Sequence, residues 1–266
     1  MCGTPPRVGP QVYGLGLIDA IPEAEIEAQA AAAKPDGVRG RANRVWDAAR
    51  QRLVVGRFGL KANAPTLRQQ IAGAFVGDLG ITSELFPQEN CSAAQTACQR
   101  APSGGHPELS HEQLDDITAY LSRIAAPARR AAQAPQIVQG EALFAAVGCA
   151  VCHRPRWQTA EAADPLLAHR SFAPYTDLLV HDMGPGLADG RPDYLAQGRE
   201  WRTPPLWGIG LVERVNGHTR YLHDGRARNL DEAVRWHDGE GRAARLRFET
   251  LAPADRAALL AFLASL

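Results

Sequence analysis

The sequence has no apolar run approaching the roughly 20 residues that a bilayer-spanning helix needs. Its start, Met1-Cys2-Gly3-Thr4-Pro5-Pro6, lacks the apolar stretch of a secretory leader. Net charge is missing too: 29 Lys and Arg residues oppose 29 Asp and Glu. No overall field would therefore draw the chain to nucleic acid or to an anionic membrane. Alternating strand patterns are also wanting. These absences exclude a membrane span and leave charge silent about partners.

The chain has 266 residues, 45% of them hydrophobic, enough for two modest cores. Apolar residues recur at three and four spacing from Ala24 to Ala33, Thr66 to Ala74, His111 to Ile124, Gly140 to Val147, Leu230 to Trp236 and Pro253 to Leu266, which predicts helices there. Frequent Gly and Pro between them predict long irregular loops, common where a cofactor helps to organise a core. Pro10-Gln11-Val12-Tyr13-Gly14-Leu15-Gly16-Leu17 resembles Pro204-Pro205-Leu206-Trp207-Gly208-Ile209-Gly210-Leu211. The ending Ile117 to Ile124 likewise resembles Leu259 to Leu266, and together they suggest duplication. The expected fold is mainly α, with residues 1–125 an incomplete first unit, the Ala- and Pro-rich 126–136 a linker, and 137–266 a second unit. By that register, the first counterpart of any motif near residue 150 would fall before Met1. The chain is therefore expected to be an N-terminally truncated or late-started product.

The five cysteines fall as Cys2 alone, Cys91 with Cys98, and Cys149 with Cys152. Gly148-Cys149-Ala150-Val151-Cys152-His153 contains C-x-x-C-H. Two thiols at this spacing can add to the vinyl groups of a haem while the next imidazole faces the iron. A zinc half-site would want a second close Cys or His pair, and Cys91 with Cys98 is unsuitably spaced. A thioredoxin-like pair would sit between a strand and a helix, whereas here the helical pattern Glu141 to Val147 runs into the motif. Covalent haem c with His153 as axial ligand is the expectation, and it implies a periplasmic setting. The sixth iron position has six downstream candidates: His169, His181, Met183, His218, His223 and His237. Cys91 and Cys98 could form a local disulfide, and Cys2 has no assigned role.

Tyr175-Thr176-Asp177-Leu178-Leu179-Val180-His181-Asp182-Met183-Gly184-Pro185-Gly186-Leu187 and Glu200-Trp201-Arg202-Thr203-Pro204-Pro205-Leu206-Trp207-Gly208 resemble the bacterial di-haem oxidoreductase family. That family is also labelled thiol oxidoreductase-like or peroxidase. Arg57 to Ala62, Pro65 to Gln70 and Gly80 to Ser83 are similar to it as well, so the resemblance covers nearly the whole chain. The resemblance implies tandem cytochrome c-like domains, each with a haem. The second is the one at Cys149, and the first is expected in the full-length protein. More distantly, Tyr221-Leu222-His223-Asp224-Gly225 with Leu230-Asp231-Glu232-Ala233-Val234 is similar to di-haem cytochrome c peroxidases, whose distal Met ligand corresponds to His237 here. The implied axial pair is His153 and His237, with Met183 as the alternative. Where those peroxidases use a Thr-x-Pro segment for calcium, this chain has His218 and Arg220, which argues against calcium. Arg202 is a candidate partner for a haem propionate, with a surface salt bridge as the other reading. His223 with Asp224 could be an acid/base pair or a structural hydrogen bond. The implied activity is electron-transfer, peroxidase-like oxidoreduction, with this chain keeping the relay haem. A non-catalytic carrier or an inactive fragment are the alternatives, and a redox partner protein or small electron donor is the expected partner.

Overall fold

The computed structural model describes residues 6–266, so Cys2 lies outside the described residues. The order runs α1 (Leu15–Asp19), α2 (Glu23–Ala31), β1 (Arg44–Asp47), β2 (Arg52–Val55), α3 (Leu67–Ala74), α4 (Thr96–Gln99), α5 (His111–Ser122) and α6 (Pro135–Ala146). It continues with β3 (Trp157–Gln158), β4 (Ser171–Phe172), β5 (Val180–Asp182), β6 (Glu200–Arg202), α7 (Val212–Asn216), α8 (Leu230–Arg235), α9 (Arg242–Thr250) and α10 (Pro253–Ser265).

Local chemistry explains where the longer helices start. Thr66 accepts the Gln69 amide at 3.1 Å and opens α3. Ser110 and Gln113 exchange side-chain and backbone bonds in a capping box at the head of α5. Asn229 caps α8 through the Glu232 amide at 2.8 Å. Pro135 and Pro253 stand in the first turns of α6 and α10, where a missing N–H costs nothing. The segment 126–136 is irregular until Pro135 opens α6.

The expectation of a mainly α fold of tandem cytochrome c-like domains is overturned. The six strands pair as three two-stranded antiparallel sheets, β1 with β2, β3 with β4 and β5 with β6, giving a mixed α and β architecture among the described residues. In the last sheet Val180 faces Arg202, His181 faces Trp201 and Asp182 faces Glu200. Strands of two to four residues are too short to register as alternation, which needs a longer window. One of the two large hydrophobic clusters draws on residues from both sides of 126–136. It contains Ile18, Ile26, Phe58, Leu67 and Leu114, but also Trp157, Leu178, Leu179 and Trp207 from the later half. The other gathers Ile137, Phe144, Tyr175, Leu206, Phe248, Leu259 and Phe262. Sequence neighbours Leu206 and Trp207 thus enter different clusters.

The two similar segments are a repeated local device, packed against each other. Tyr13 donates its hydroxyl to the Trp207 carbonyl at 3.1 Å. Gly14 and Gly208 both adopt left-handed backbone, at φ 71° and 74°. Each donates its N–H at 2.7 Å to a carbonyl that closes a long helix, Gly14 to Ile124 and Gly208 to Leu266. No helix among the described residues is long and apolar enough to cross a membrane.

Candidate cofactor site

Helix α6 delivers the motif. Its chain turns at Gly148, left-handed at φ 97°, into a 3-10 turn over Cys149–Val151. His153 follows, its amide on the Cys149 carbonyl at 2.9 Å. No strand leads into the pair, as a thioredoxin-like site would require. Cys149 and Cys152 are free thiols, and Cys91 and Cys98 are bridged to each other. Burial, and then the neighbouring Cys152 sulfur, push the Cys149 thiol up to about 12.

His153 sits beside an aromatic cluster in which Tyr175 packs edge to face on Phe144 and Phe262, and those two rings are tilted against each other, with centroids 5.2 to 5.9 Å apart. Its Nδ1 donates to the Tyr175 carbonyl at 3.0 Å. Across from it stands His237, just past the end of α8, whose Nδ1 donates to the Ala233 carbonyl at 2.8 Å. Arg245 holds the His237 carbonyl at 2.7 Å. The two ring centroids are 6.4 Å apart at an interplanar angle of 52°. Desolvation, reinforced by His237, lowers the His153 pKa to about 4, and desolvation lowers that of His237 as well. Both imidazoles are therefore neutral near pH 7. With Nδ1 committed as the N–H donor, each Nε2 keeps its lone pair. The centroid separation is of the size expected for two imidazoles on opposite sides of one metal, given metal–nitrogen bonds of about 2 Å. Two free thiols beside a neutral His pair are a donor set that fits a covalently held haem.

A second group lies against Cys152. The buried His181 donates Nε2–H to Asp177 at 2.9 Å and Nδ1–H to Glu240 at 2.7 Å, with the Cys152 sulfur 3.7 Å from Nδ1. Burial alone would lower the His181 pKa, but its bonds to Asp177, Cys152 and Glu240 carry it up to about 12. Burial likewise opposes ionisation of Glu240, yet His181 and the amides of Arg39 and Gly40 draw its pKa down to about 2. Cys152, Asp177 and His181 bring possible metal-donor atoms within 4.8 Å of one another. The hydrogen bonds already made by His181 at both nitrogens account for the grouping without an ion.

The sequence model of the family described as "Di-haem oxidoreductase, putative peroxidase" matches residues 3–266. The chain belongs to this family. The family's description names oxidoreduction and haem. No curated protein matches it. Among solved structures it is similar to a chain of Kuenenia stuttgartiensis hydrazine synthase, at 19% identity and a TM-score of 0.44. That alignment covers 77% of this chain and 64% of the other, so this chain spans somewhat under two thirds of that relative's length.

The remaining candidates separate clearly in the structure. His169 and His218 are exposed. His223 stacks on Trp201 with centroids 3.7 Å apart at 17°, and its Nε2 is 3.7 Å from Asp224, too long for a hydrogen bond. Its geometry is that of a packed ring more than of an acid/base pair. Arg202 is buried and bonds only to backbone carbonyls, Nε to Gly59 at 2.7 Å and a long contact to Thr203, which excludes the surface salt bridge. Burial lowers its pKa to about 10, and Asp177 acts in the opposite sense. A desolvated guanidinium of this kind suits a carboxylate. Met183 is half-buried and lies near His237. Sequence reasoning missed the Tyr175 and Ala233 carbonyls and the Asp177–His181–Glu240 group. Only Ala233 left a trace, four residues before His237, where the carbonyl of a helical turn comes within reach of a following side chain.

Proposed function

We propose that the chain holds haem c covalently through Cys149 and Cys152, with His153 and His237 as the two axial ligands, and serves as the electron-relay centre of a peroxidase-like di-haem oxidoreductase. The supporting observation is the pair of buried imidazoles with centroids 6.4 Å apart, each with Nδ1–H on a backbone carbonyl. Bound haem supplies an iron that cycles between ferric and ferrous states. The chain's own residues do the rest. The thiols of Cys149 and Cys152 anchor the macrocycle, and the Tyr175 and Ala233 carbonyls fix the rings and strengthen them as donors. Phe144, Tyr175 and Phe262 keep water from the His153 side, and Arg202 offers its guanidinium to a propionate. Imidazole on both faces would leave no open position for peroxide, so peroxide turnover would need a second, more open haem. Two imidazoles also set a lower potential than imidazole with thioether. Electrons come from a redox partner protein or a small donor, and the setting is the periplasm, where haem c is attached.

The same filled coordination favours a second reading, a non-catalytic electron carrier. Its mark is a haem-loaded protein that stays low-spin and indifferent to peroxide and cyanide.

The test is export of the chain to a periplasm competent for cytochrome c maturation, followed by intact-mass analysis. The expected result is a mass gain of one haem that survives denaturation and is lost in Cys149→Ser/Cys152→Ser. A wild-type chain matured there without covalent haem would overturn the reading.

A further inference from the structure

Two glycine-rich segments meet beside the His153–His237 pair. Asp182 to Gly186 runs from the last residue of β5, and His237 to Gly241 lies between α8 and α9. The contact is backbone to backbone: a Cβ at Gly239 would stand 2.2 Å from the Asp182 carbonyl oxygen. At Gly241 a Cβ would stand 3.2 Å from His237 Cβ, 3.3 Å from His237 Cδ2 and 3.3 Å from Met183 Cε. The Met183 methyl and the ring carbon next to His237 Nε2 thus flank one glycine. The Met183 backbone is anchored, its N–H on the Arg199 carbonyl at 3.0 Å, while its unbranched side chain keeps three rotatable bonds.

We propose that Met183 is an alternate sixth ligand, its thioether replacing the His237 imidazole on the haem iron when that ring is withdrawn. The proposal rests on the His153/His237 reading. In the exchange one iron–nitrogen bond breaks and one iron–sulfur bond forms. Both ligands are neutral, so no proton or electron is consumed. The thioether is the softer donor and suits ferrous iron, whereas imidazole serves ferric iron better. Bonds to Ala233 and from Arg245 hold His237 in place and keep Met183 in reserve.

The test compares axial ligation in haem-loaded His237→Ala, Met183→Leu and His237→Ala/Met183→Leu. His237→Ala is expected to remain low-spin, to gain a sulfur-to-iron charge-transfer band and to show a higher reduction potential than wild type. The double variant is expected to turn high-spin and bind cyanide, and Met183→Leu alone to keep the wild-type spectrum. Should His237→Ala fail to retain haem, His237→Gln preserves side-chain volume and the same spectra decide. A high-spin His237 variant indistinguishable from its Met183→Leu double overturns the proposal and leaves the His153/His237 pair standing. A wild-type protein without bis-imidazole ligation overturns the pair itself.

Discussion

His181 is an imidazolium held between two carboxylates, with one side of its ring against Cys152. Its raised pKa means that its contribution to folding is complete below the ordinary histidine pKa of about 6.5 and is lost progressively as the pH rises toward about 12. Glu240 works in the opposite sense, its contribution present above the ordinary carboxylate range and lost as the pH falls toward about 2. Thermal melts of wild type and His181→Asn between pH 5 and 9 should show a wild-type decline over the upper part of that range and a flatter profile in the variant; parallel profiles would contradict this. Glu240→Gln removes one charge from a pair with a partly exposed carboxylate, so a loss of about 1–3 kcal/mol is expected by denaturant titration. At this scale a contiguous candidate such as Cys149-Ala150-Val151-Cys152-His153 can be picked out of the sequence. The sequence was illegible where partners meet through space: nothing near Glu240 in the chain points to His181, and a backbone carbonyl such as that of Tyr175 has no side-chain signature.

Among the elements, α8 links cap chemistry to the site, because it runs from the Asn229 cap to the turn that presents His237. Asn229→Ala should cost about 1 kcal/mol of stability and broaden or shift the axial-ligand spectrum. Ser110→Ala at α5 should cost a similar amount and leave that spectrum unchanged. Equal spectra in the two variants would detach α8 from ligand positioning. The helices read from apolar spacing begin near their observed starts, except that Pro135 opens α6 before Gly140. The strands were unreadable because β3 and β4 have only two residues each, and their pairing depends on distant loops. The short α1, α4 and α7 escaped for the same reason: four or five residues carry no period.

For the whole molecule, the shared packing sets the expectation. Trp157, Leu178, Leu179 and Trp207 complete a cluster built largely from residues before 126. A fragment of residues 137–266 would leave these side chains uncovered and should aggregate or melt without cooperativity, whereas the full chain should unfold in one transition. A cooperative, monomeric fragment would contradict that. Trp207→Ala should cost about 3–5 kcal/mol through the cavity left in the cluster. The tandem picture rested on two similar segments, Pro10–Leu17 and Pro204–Leu211, which the structure packs against each other. Their likeness is local, and periodicity cannot report which core each side chain joins. Above all these expectations stands the axial pair. Near-infrared magnetic circular dichroism of the ferric, haem-loaded chain should show bis-imidazole, low-spin iron from His153 and His237; a thioether–iron band or high-spin iron in the wild-type protein would contradict it.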